Sequence, residues 1–486
     1  MVVLDATVVN IALPRAQEAL HFSDANRQWV ITAYTLAFGG LLLFGGRIAD
    51  LWGRKRAFII GLIGFAIASA LGGAASGIGT LLAARAAQGA FGALLAPAAL
   101  SLLAVSFTIP AERAKAFGVY GAIAGAGAAV GLILGGVLTE ALNWRWVMFV
   151  NILFAVVAIV GAVMFIHEPT REKSRKQLDI PGVLLATGGL VALVYGFTEA
   201  AEKSWTSPLT ISMFVASVVL LAAFLVVESI VKAPLLPLRV LADRNRGGVY
   251  LTLGIAIIGM FGMFLFLTFY LQRVLGYSPV KSGFAFMPMV GGMIIGSTQI
   301  GARLMLKVPA RWLMGPGFVT AAVGMVIMSQ ISTEGNYSKV LLPGLVLMGL
   351  GMGTAFMPAM SLATLGVAHE DAGVASAMVN TSQQVGGSIG TALLNTIAAT
   401  TTTAWLADHK GEAGALIAKL GPQGGQVAYL NQGLVHGFSL AIWCAAGALV
   451  LAALLVVTMV NAPKQGHTAP LEEEAAEGLP VPVLPH

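Results

Sequence analysis

Long apolar stretches separated by short polar ones run along almost the whole of the chain. Each of thirteen stretches is long enough to cross the ~30 Å hydrocarbon core of a lipid bilayer as a helix. The pattern predicts an all-α membrane protein, because only helices and closed barrels satisfy their backbone polar groups inside lipid. The stretches lie at about 28–46, 57–76, 80–107, 116–138, 146–166, 180–199, 208–229, 248–271, 283–301, 312–331, 340–361, 374–400 and 434–461.

A shorter apolar segment, Met1–Pro14, precedes these stretches. Helical residues rise 1.5 Å each, so this segment extends only ~21 Å and is too short to span the core. Counted with it, the chain has fourteen hydrophobic helices. Short loops rich in Lys and Arg stay on the cytoplasmic side of a membrane. Loops on the side of Gly46–Arg56 hold about twice as many of these residues as the other loops, which places this loop and the C-terminus in the cytoplasm.

The composition excludes a soluble fold and several classes of function. Hydrophobic residues make up 57% of the chain and charged residues 10%, whereas soluble proteins carry about 25% charged residues. The net charge of +6 does not indicate nucleic-acid binding, because the cations lie in short interhelical loops and not on one face. The single Cys444, the scattered histidines and the lack of a phosphate-binding glycine loop predict a protein without cofactor or enzymatic activity.

The loop between the first two complete stretches has an unusual charge pattern. Three cations, Arg54 to Arg56, open a helix, although the dipole of a helix N-terminus favours anions. Asp50, one turn earlier, can cap this helix and pair with the cations. A positive-inside loop explains the cations equally well. The loop also resembles the signature loop of the major facilitator superfamily, which in that family latches the two halves of the transporter together on the cytoplasmic side. The residues that match the signature are Gly46, Asp50, Gly53, Arg54, Lys55 and Arg56.

A second resemblance narrows the family. Met1–Pro14 resembles the second half of helix 1 in the fourteen-helix drug:proton antiporters of this superfamily, whose signature Asp-x-Thr-x-Val-Asn-x-Ala-Leu-Pro it contains. The resemblance implies that the cytoplasmic half of helix 1 is missing from this sequence. We therefore expect an in-frame apolar segment upstream of Met1.

The same resemblance implies a major-facilitator fold of two six-helix bundles with two extra helices inserted between them. A weak internal repeat agrees, since Gly301 to Arg311 copies the spacing of Gly46 to Arg56, although Met305 replaces the acid. The expected divisions are an N-terminal bundle at 1–166, the inserted helices with their cytoplasmic linkers at 167–247, a C-terminal bundle at 248–461 and a disordered cytoplasmic tail at 462–486.

Two charged residues lie within predicted spans. If Pro14 marks the outer end of its helix, Asp5 lies ~14 Å deep, near the middle of the membrane. Acids at this depth are functional sites by default, and a structural acid bonded to Thr7, Asn10 or a neighbouring helix is the alternative. Arg85 lies in a segment that resembles the family's helix-4 pattern, whose arginine is tied to proton coupling; the alternative is that it snorkels to water. We predict that Asp5 carries a proton and that Arg85 modulates it.

The fifth predicted helix carries glycines four residues apart, which let helices pack backbone to backbone. Ordinary tight packing explains such a face. The spacing also resembles the helix-5 motif that separates exporters from uptake members of the superfamily, although Ala128 and Leu132 replace the prolines usual after its glycines. The glycines are Gly121, Gly125, Gly127, Gly131, Gly135 and Gly136.

Uncharged polar side chains within the spans are candidates for lining a central substrate cavity, and hydrogen bonding between helices is the alternative. Asn380 and Gln384 share one face of their helix. The candidates are Asn10, Tyr34, Gln88, Asn380, Gln383 and Gln384.

Together these features predict a proton-coupled exporter of amphipathic or apolar small molecules, such as drugs, antibiotics, dyes or metabolites. It is expected to work by alternating access, as a monomer in the bilayer of the cell membrane, without nucleic acid as a partner. A facilitator or proton symporter for a small nutrient is the alternative in the same fold. A membrane receptor or enzyme is the remote alternative, and it would need a catalytic constellation or soluble domain that the sequence does not show.

Overall fold

The computed structural model describes residues 1–22, 24–166, 178–335 and 337–462, and these residues form helices without a β-strand. The all-α class is confirmed. Most of the predicted linker at 167–179 and of the tail at 462–486 lies outside the described residues. The helices are α1 (Val2–Leu20), α2 (Asp24–Trp52), α3 (Arg54–Gly73), α4 (Ile78–Ser106), α5 (Pro110–Ala141), α6 (Trp146–Phe165), α7 (Ile180–Glu202), α8 (Pro208–Ile230), α9 (Leu238–Ala242), α10 (Arg244–Phe269), α11 (Pro279–Ala285), α12 (Met287–Ile294), α13 (Ala302–Leu304), α14 (Arg311–Met328), α15 (Leu342–Ala363), α16 (Ala372–Asp408) and α17 (Lys410–Met459).

Eleven helical segments in the described part of the chain are long and apolar enough to cross a membrane. Some predicted stretches are built from several pieces: π-helical turns at Tyr270–Val274 and Ile295–Gly301 extend α10 and α12, and a third at Tyr337–Leu341 precedes α15. The remaining predicted spans correspond to α1, α5 and α16, which are 19, 32 and 37 residues long. The helix order is therefore consistent with fourteen spans, and that number stays a prediction.

The two halves of the chain pack their helices in the same order. In the first half α1 packs against α5, and α2 and α3 pack against α4. In the second half α10 packs against α16, and α12 and α14 pack against α15. The two halves contact each other through two equivalent helix pairs, since α2 packs on α16 and α12 packs on α5. Repeated halves of this kind are typical of secondary transporters.

The inserted helices α7 and α8 pack on each other beside these halves, and α7 contacts α2 and α16. The exposed surface of α8 carries large apolar side chains such as Val215, Val218 and Val226. A helix that exposes such residues in water would aggregate, so this surface suits contact with lipid.

The segment at 401–433 differs from its prediction. The apolar pattern stops at about residue 400, which indicated a loop, whereas α16 continues to Asp408 and α17 begins at Lys410. His409 separates the two helices, and inside α17 the backbone leaves the helical conformation at Gly421, with φ of 78°. The ring of Trp405 stacks on His409 and lies 5.9 Å from the ring of Tyr429, so that the two helix extensions pack on each other. Hydropathy locates the part of a helix inside lipid and not the end of the helix.

Candidate functional site

Asp5 on α1 lies at the centre of a buried polar cluster. Its side chain is 0% exposed. Its Oδ2 accepts a hydrogen bond from Arg85 Nη1 on α4 at 2.6 Å, which makes the two residues an ion pair. Its Oδ1 accepts from Asn151 Nδ2 on α6 at 2.7 Å and from Gln88 Nε2 on α4 at 3.3 Å. Every one of these donors stabilises the charged carboxylate.

Arg85 is equally well enclosed, which excludes the alternative that it snorkels to water. Its side chain is 1% exposed. Its Nε donates to the carbonyl oxygen of Val30 at 3.2 Å, and its Nη1 donates to Gln88 Oε1 at 2.7 Å. Its guanidinium lies 4.4 Å from the centre of the Tyr34 ring. Because a buried charge is costly without a partner, the cation and Asp5 each depend on the other.

Close helix packing places these groups. Gly89, one turn after Arg85, faces α2, and a Cβ atom there would lie 3.0 Å from the backbone nitrogen of Phe38. Any larger residue would push α4 away from α2, and Arg85 would lose the Val30 carbonyl. Gln88 and Tyr34, two of the predicted cavity residues, lie in this buried cluster and are 0% and 4% exposed. Their role in a substrate cavity stays a prediction.

A second cluster joins the two halves at the predicted cytoplasmic face. The carboxylate of Asp50, near the end of α2, accepts from the backbone nitrogens of Gly373 and Val374 at 2.9 and 3.1 Å. These nitrogens open α16, so the acid neutralises the positive end of that helix dipole. Arg54 Nη2 contacts Asp50 Oδ1 at 3.2 Å and donates to the backbone carbonyl of His369. Asp50 thus caps a helix of the other half, in addition to pairing with Arg54 as predicted.

The other residues of the predicted latch loop have separate roles. Gly53 has φ of 98°, a value that side chains other than glycine rarely adopt. A Cβ atom at Gly46 would lie 2.6 Å from the Cβ atom of Ala377, so glycine permits the contact between α2 and α16. Lys55 Nζ donates to the carbonyl oxygen of Ile166 at 2.6 Å, beyond the last turn of α6. Arg56 is exposed.

Arg113 is a third tie that the sequence analysis missed. It lies in the first turn of α5 and is 6% exposed. Its Nη1 donates to the Ala104 carbonyl in the last turn of α4 at 2.8 Å. Its Nη2 donates to the Ser361 carbonyl in the last turn of α15 at 3.0 Å and to Thr364 Oγ1 at 2.7 Å. The cation therefore caps two helix C-termini, one from each half. The signal was a cation at a helix N-terminus, the same mismatch that singled out the latch loop.

Arg239 on α9 adds a connection from the segment that follows the inserted helices. Its Nη2 contacts Asp371 Oδ2 at 2.6 Å and Glu370 Oε1 at 3.2 Å. Arg47 Nη1 on α2 lies 4.0 Å from the second oxygen of Asp371. The hydrogen bond and charge of Asp371 raise the pKa of Arg239, which keeps this exposed arginine charged.

The helix-5 glycines fall into two groups. Gly131 and Gly135 face α1, where a Cβ atom at Gly135 would lie 3.1 Å from the Cα of Val8. Gly121 and Gly136 face the other half of the chain, and a Cβ atom at Gly136 would lie 2.9 Å from a methyl carbon of Val280. Gly127 is half-buried. The surroundings of Gly125 and the side chains of Ala128 and Leu132 lie outside the described part of the structure.

Three of the four remaining cavity candidates, Asn380, Gln383 and Gln384, lie on α16 and are half-buried. Asn380 Nδ2 donates to the Ser376 carbonyl of its own helix at 2.8 Å. Gln384 packs against Gly39 of α2, where a Cβ atom would lie 2.9 Å from the Gln384 Cγ. Gln383 lies one residue before it, and the side chain of Asn10 is outside the described residues. Within the described residues no group of His, Cys, Asp and Glu could hold a metal ion.

Comparisons with known proteins agree with this architecture. The family model of the Major Facilitator Superfamily matches residues 1–391. The puromycin resistance protein pur8 of Streptomyces alboniger is 50% identical over 463 residues, which cover 95% of this chain and 89% of that protein. The cephamycin export protein CmcT of Amycolatopsis lactamdurans is 37% identical over 85% of this chain and 86% of its own length. The crystal structure of the human organic anion transporter MFSD10 aligns with a TM-score of 0.61 at 14% identity, covering 93% of this chain and 96% of that one.

Proposed function

This chain belongs to the major facilitator superfamily, and we propose that it is a proton-coupled secondary transporter that exports antibiotic-like small molecules from the cell. Two relatives that the chain covers almost completely are named for resistance to puromycin and for export of cephamycin. Puromycin is therefore the first substrate to test. The protein is not an enzyme, and its helices are those of a multi-pass membrane protein.

The observation that carries the proposed coupling is the buried ion pair of Asp5 and Arg85, with 2.6 Å between carboxylate and guanidinium. When Asp5 takes up a proton it loses its charge, and the attraction to Arg85 is lost with it. Arg85 keeps the Val30 carbonyl, Gln88 and the face of Tyr34. Protonation thus removes the ion pair between α1 and α4 without expelling the arginine, and a weaker contact between these helices favours a change to a second helix arrangement.

The cluster at the predicted cytoplasmic face supports the alternating part of this cycle. Asp50 binds a backbone nitrogen in the first turn of α16, Arg54 binds the His369 carbonyl between α15 and α16, and Arg113 binds the Ser361 carbonyl in the last turn of α15. These contacts hold the two halves together on one side of the membrane, and they must break when the transporter opens there. In this proposal the N-terminal bundle comprises residues 1–166, the inserted helices with their linkers lie at 167–247, and the C-terminal bundle comprises residues 248–461. The protein works as a monomer, and its C-terminus lies in the cytoplasm.

Transport into inverted membrane vesicles tests the proposal. The vesicles are loaded with a pH gradient, and uptake of labelled puromycin is followed with and without a protonophore. Uptake that depends on the gradient is expected for the wild type, and Asp5→Asn should abolish that dependence. Glu112→Gln, which removes an exposed acid from α5, is the matched control and should transport normally. Gradient-driven uptake at the wild-type rate in Asp5→Asn would exclude Asp5 as the proton carrier.

A further inference from the structure

The hydrogen bond from Asn151 to Asp5 distinguishes this residue from the other members of the cluster. Asn151 is 0% exposed and is a polar residue in the otherwise apolar α6. Its Nδ2 lies 2.7 Å from Asp5 Oδ1, whereas Gln88 Nε2 lies 3.3 Å from the same oxygen. The Gln88 amide makes a shorter bond of 2.6 Å to Ser69 Oγ on α3. Asn151 is therefore the principal donor to this side of the carboxylate.

An amide can hydrogen-bond a carboxyl group in both of its protonation states, as a donor to the carboxylate and as an acceptor from the protonated acid, whereas a guanidinium can only donate. Arg85 offers donors alone, so it stabilises only the carboxylate. Asn151 also has an acceptor, Oδ1, and this buried atom has no hydrogen-bond partner among the described residues. Buried polar atoms are rarely left without a partner. A rotation of the amide by half a turn would present Oδ1 to the proton of a neutral Asp5, which would pair the amide oxygen with that proton.

We propose that Asn151 is a positioning residue for Asp5, which donates to its carboxylate and accepts from its protonated form. The proposal rests on the proposed role of Asp5 as proton carrier. The ionisable side chains that face Asp5 are Arg85 from α4 and Tyr34 from α2. Asn151 from α6 is uncharged, and so is Ser69 from α3, which bonds Gln88. Asn151 therefore acts through hydrogen bonding and not through charge.

The expected effect is a change in the pH at which Asp5 takes up its proton. Asn151→Leu removes the donor to the carboxylate, which favours the neutral acid. A hydrogen bond to a charged group is strong enough to change proton affinity by about tenfold or more, so the midpoint should rise by about one pH unit. Asn151→Asp keeps the size of the side chain and places a second acid beside the first, which should also raise the midpoint. Ser69→Ala, which touches Gln88 but not Asp5, should leave it unchanged.

Infrared spectroscopy of the purified protein in lipid nanodiscs measures this midpoint without transport. The carbonyl band of a buried protonated carboxyl group is followed against pH and assigned to Asp5 by its loss in Asp5→Asn. A higher midpoint in both Asn151 variants, with Ser69→Ala unchanged, supports the proposal, and an unmoved midpoint in Asn151→Leu overturns it. If no band depends on Asp5, both this proposal and the proton coupling fail. If the midpoint moves while Asp5→Asn still exports puromycin uphill, the coupling fails and the role of Asn151 stands.

Discussion

Replacing Arg113 with alanine tests whether this side chain holds the two halves together at the predicted cytoplasmic face by binding the C-terminal end of α15. Three hydrogen bonds cross from this side chain to the end of α15: Nε to Ser361 Oγ at 3.2 Å, Nη2 to the Ser361 carbonyl at 3.0 Å, and Nη2 to Thr364 Oγ1 at 2.7 Å. All three are lost when α5 and α15 separate, so they stabilise only the conformation in which this face is closed.

The size of the effect follows from these contacts. A hydrogen bond from a charged donor contributes about 1.5–3 kcal/mol net. Water can hydrogen-bond Arg113 once the helix ends separate, so the net free energy of its three hydrogen bonds is much less than their sum. We take the net contribution of the three together as that of one such bond, about 2 kcal/mol. This energy corresponds to a change of roughly thirtyfold in the ratio of closed to open conformations. Arg113→Lys keeps the charge but not the fork of donors, and it should cause a smaller change in the same direction.

Thiol labelling measures this ratio. The single Cys444 is replaced by serine, and Ser297→Cys places a reporter thiol at a position that is 0% exposed. Ser297 faces Gly121 of α5, where a Cβ atom would lie 3.7 Å from its own Cβ. A membrane-impermeant maleimide applied to inverted vesicles reaches this thiol only when the face opens. Labelling should be up to ~30 times faster in Arg113→Ala than in the parent protein.

Two further variants make the result decisive. Arg56→Ala removes an exposed cation from the same face and should leave the labelling rate unchanged. Asp50→Asn removes the negative charge and one of the two acceptor oxygens at the start of α16, and it should increase the labelling rate. Faster labelling in Asp50→Asn together with an unchanged rate in Arg113→Ala would refute the reasoning, because the reporter would then detect opening that Arg113 does not restrain.

Two other predictions follow from the packing. Gly386→Val should destabilise the protein by about 1–3 kcal/mol and lower its melting temperature in detergent, because a Cβ atom there would lie 3.0 Å from the Cα of Gly254. Gly447→Val is the control, at a position with nothing within 4 Å, and should leave the melting temperature unchanged. Equal melting temperatures of the two variants would contradict the packing argument. Arg239→Ala should speed the same thiol labelling by less than about fivefold, since an ion pair with an exposed partner such as Arg239 contributes about 0–1 kcal/mol. The effect should vanish at high salt. A salt-independent increase would show that the contact with Asp371 is stronger than the exposure of Arg239 indicates.

The helices and their chemistry were predictable from the sequence to different degrees. Length and hydropathy located the spans, because lipid imposes the same requirement on every helix. They did not locate the ends of α16 and α17, because nothing in hydropathy distinguishes a helix from a loop once it has left the lipid. The depth of Asp5 and the position of Arg85 marked both as candidates, since charges inside a membrane are costly wherever they lie.

The partners of these residues were harder to find. Asn151 follows Asp5 by 146 positions, and Arg113 precedes Ser361 by 248, so no local spacing connects them. Uncharged partners such as a backbone carbonyl leave no trace in the sequence at all. One signal was present for each residue: Asn151 interrupts an apolar span, and Arg113 opens a helix with the wrong charge. Both signals indicate that a partner exists, and only the packing of helices identifies it.

The two clusters share helices, which gives a physical route between proton binding and opening of the cytoplasmic face. α4 carries Arg85 near one end and the Ala104 carbonyl near the other, nineteen residues or ~29 Å away. α2 carries the Val30 carbonyl and Asp50 at a similar separation. α2 has no proline over this length, whereas Pro97 interrupts the hydrogen-bond ladder of α4 between its two sites. Under the proposed mechanism, a shift of these helices after Asp5 is neutralised would be transmitted to the contacts at Asp50 and Arg113. The proposed latch therefore responds to the proton through the helix ends that it caps, with no need for a chain of side chains between the two clusters.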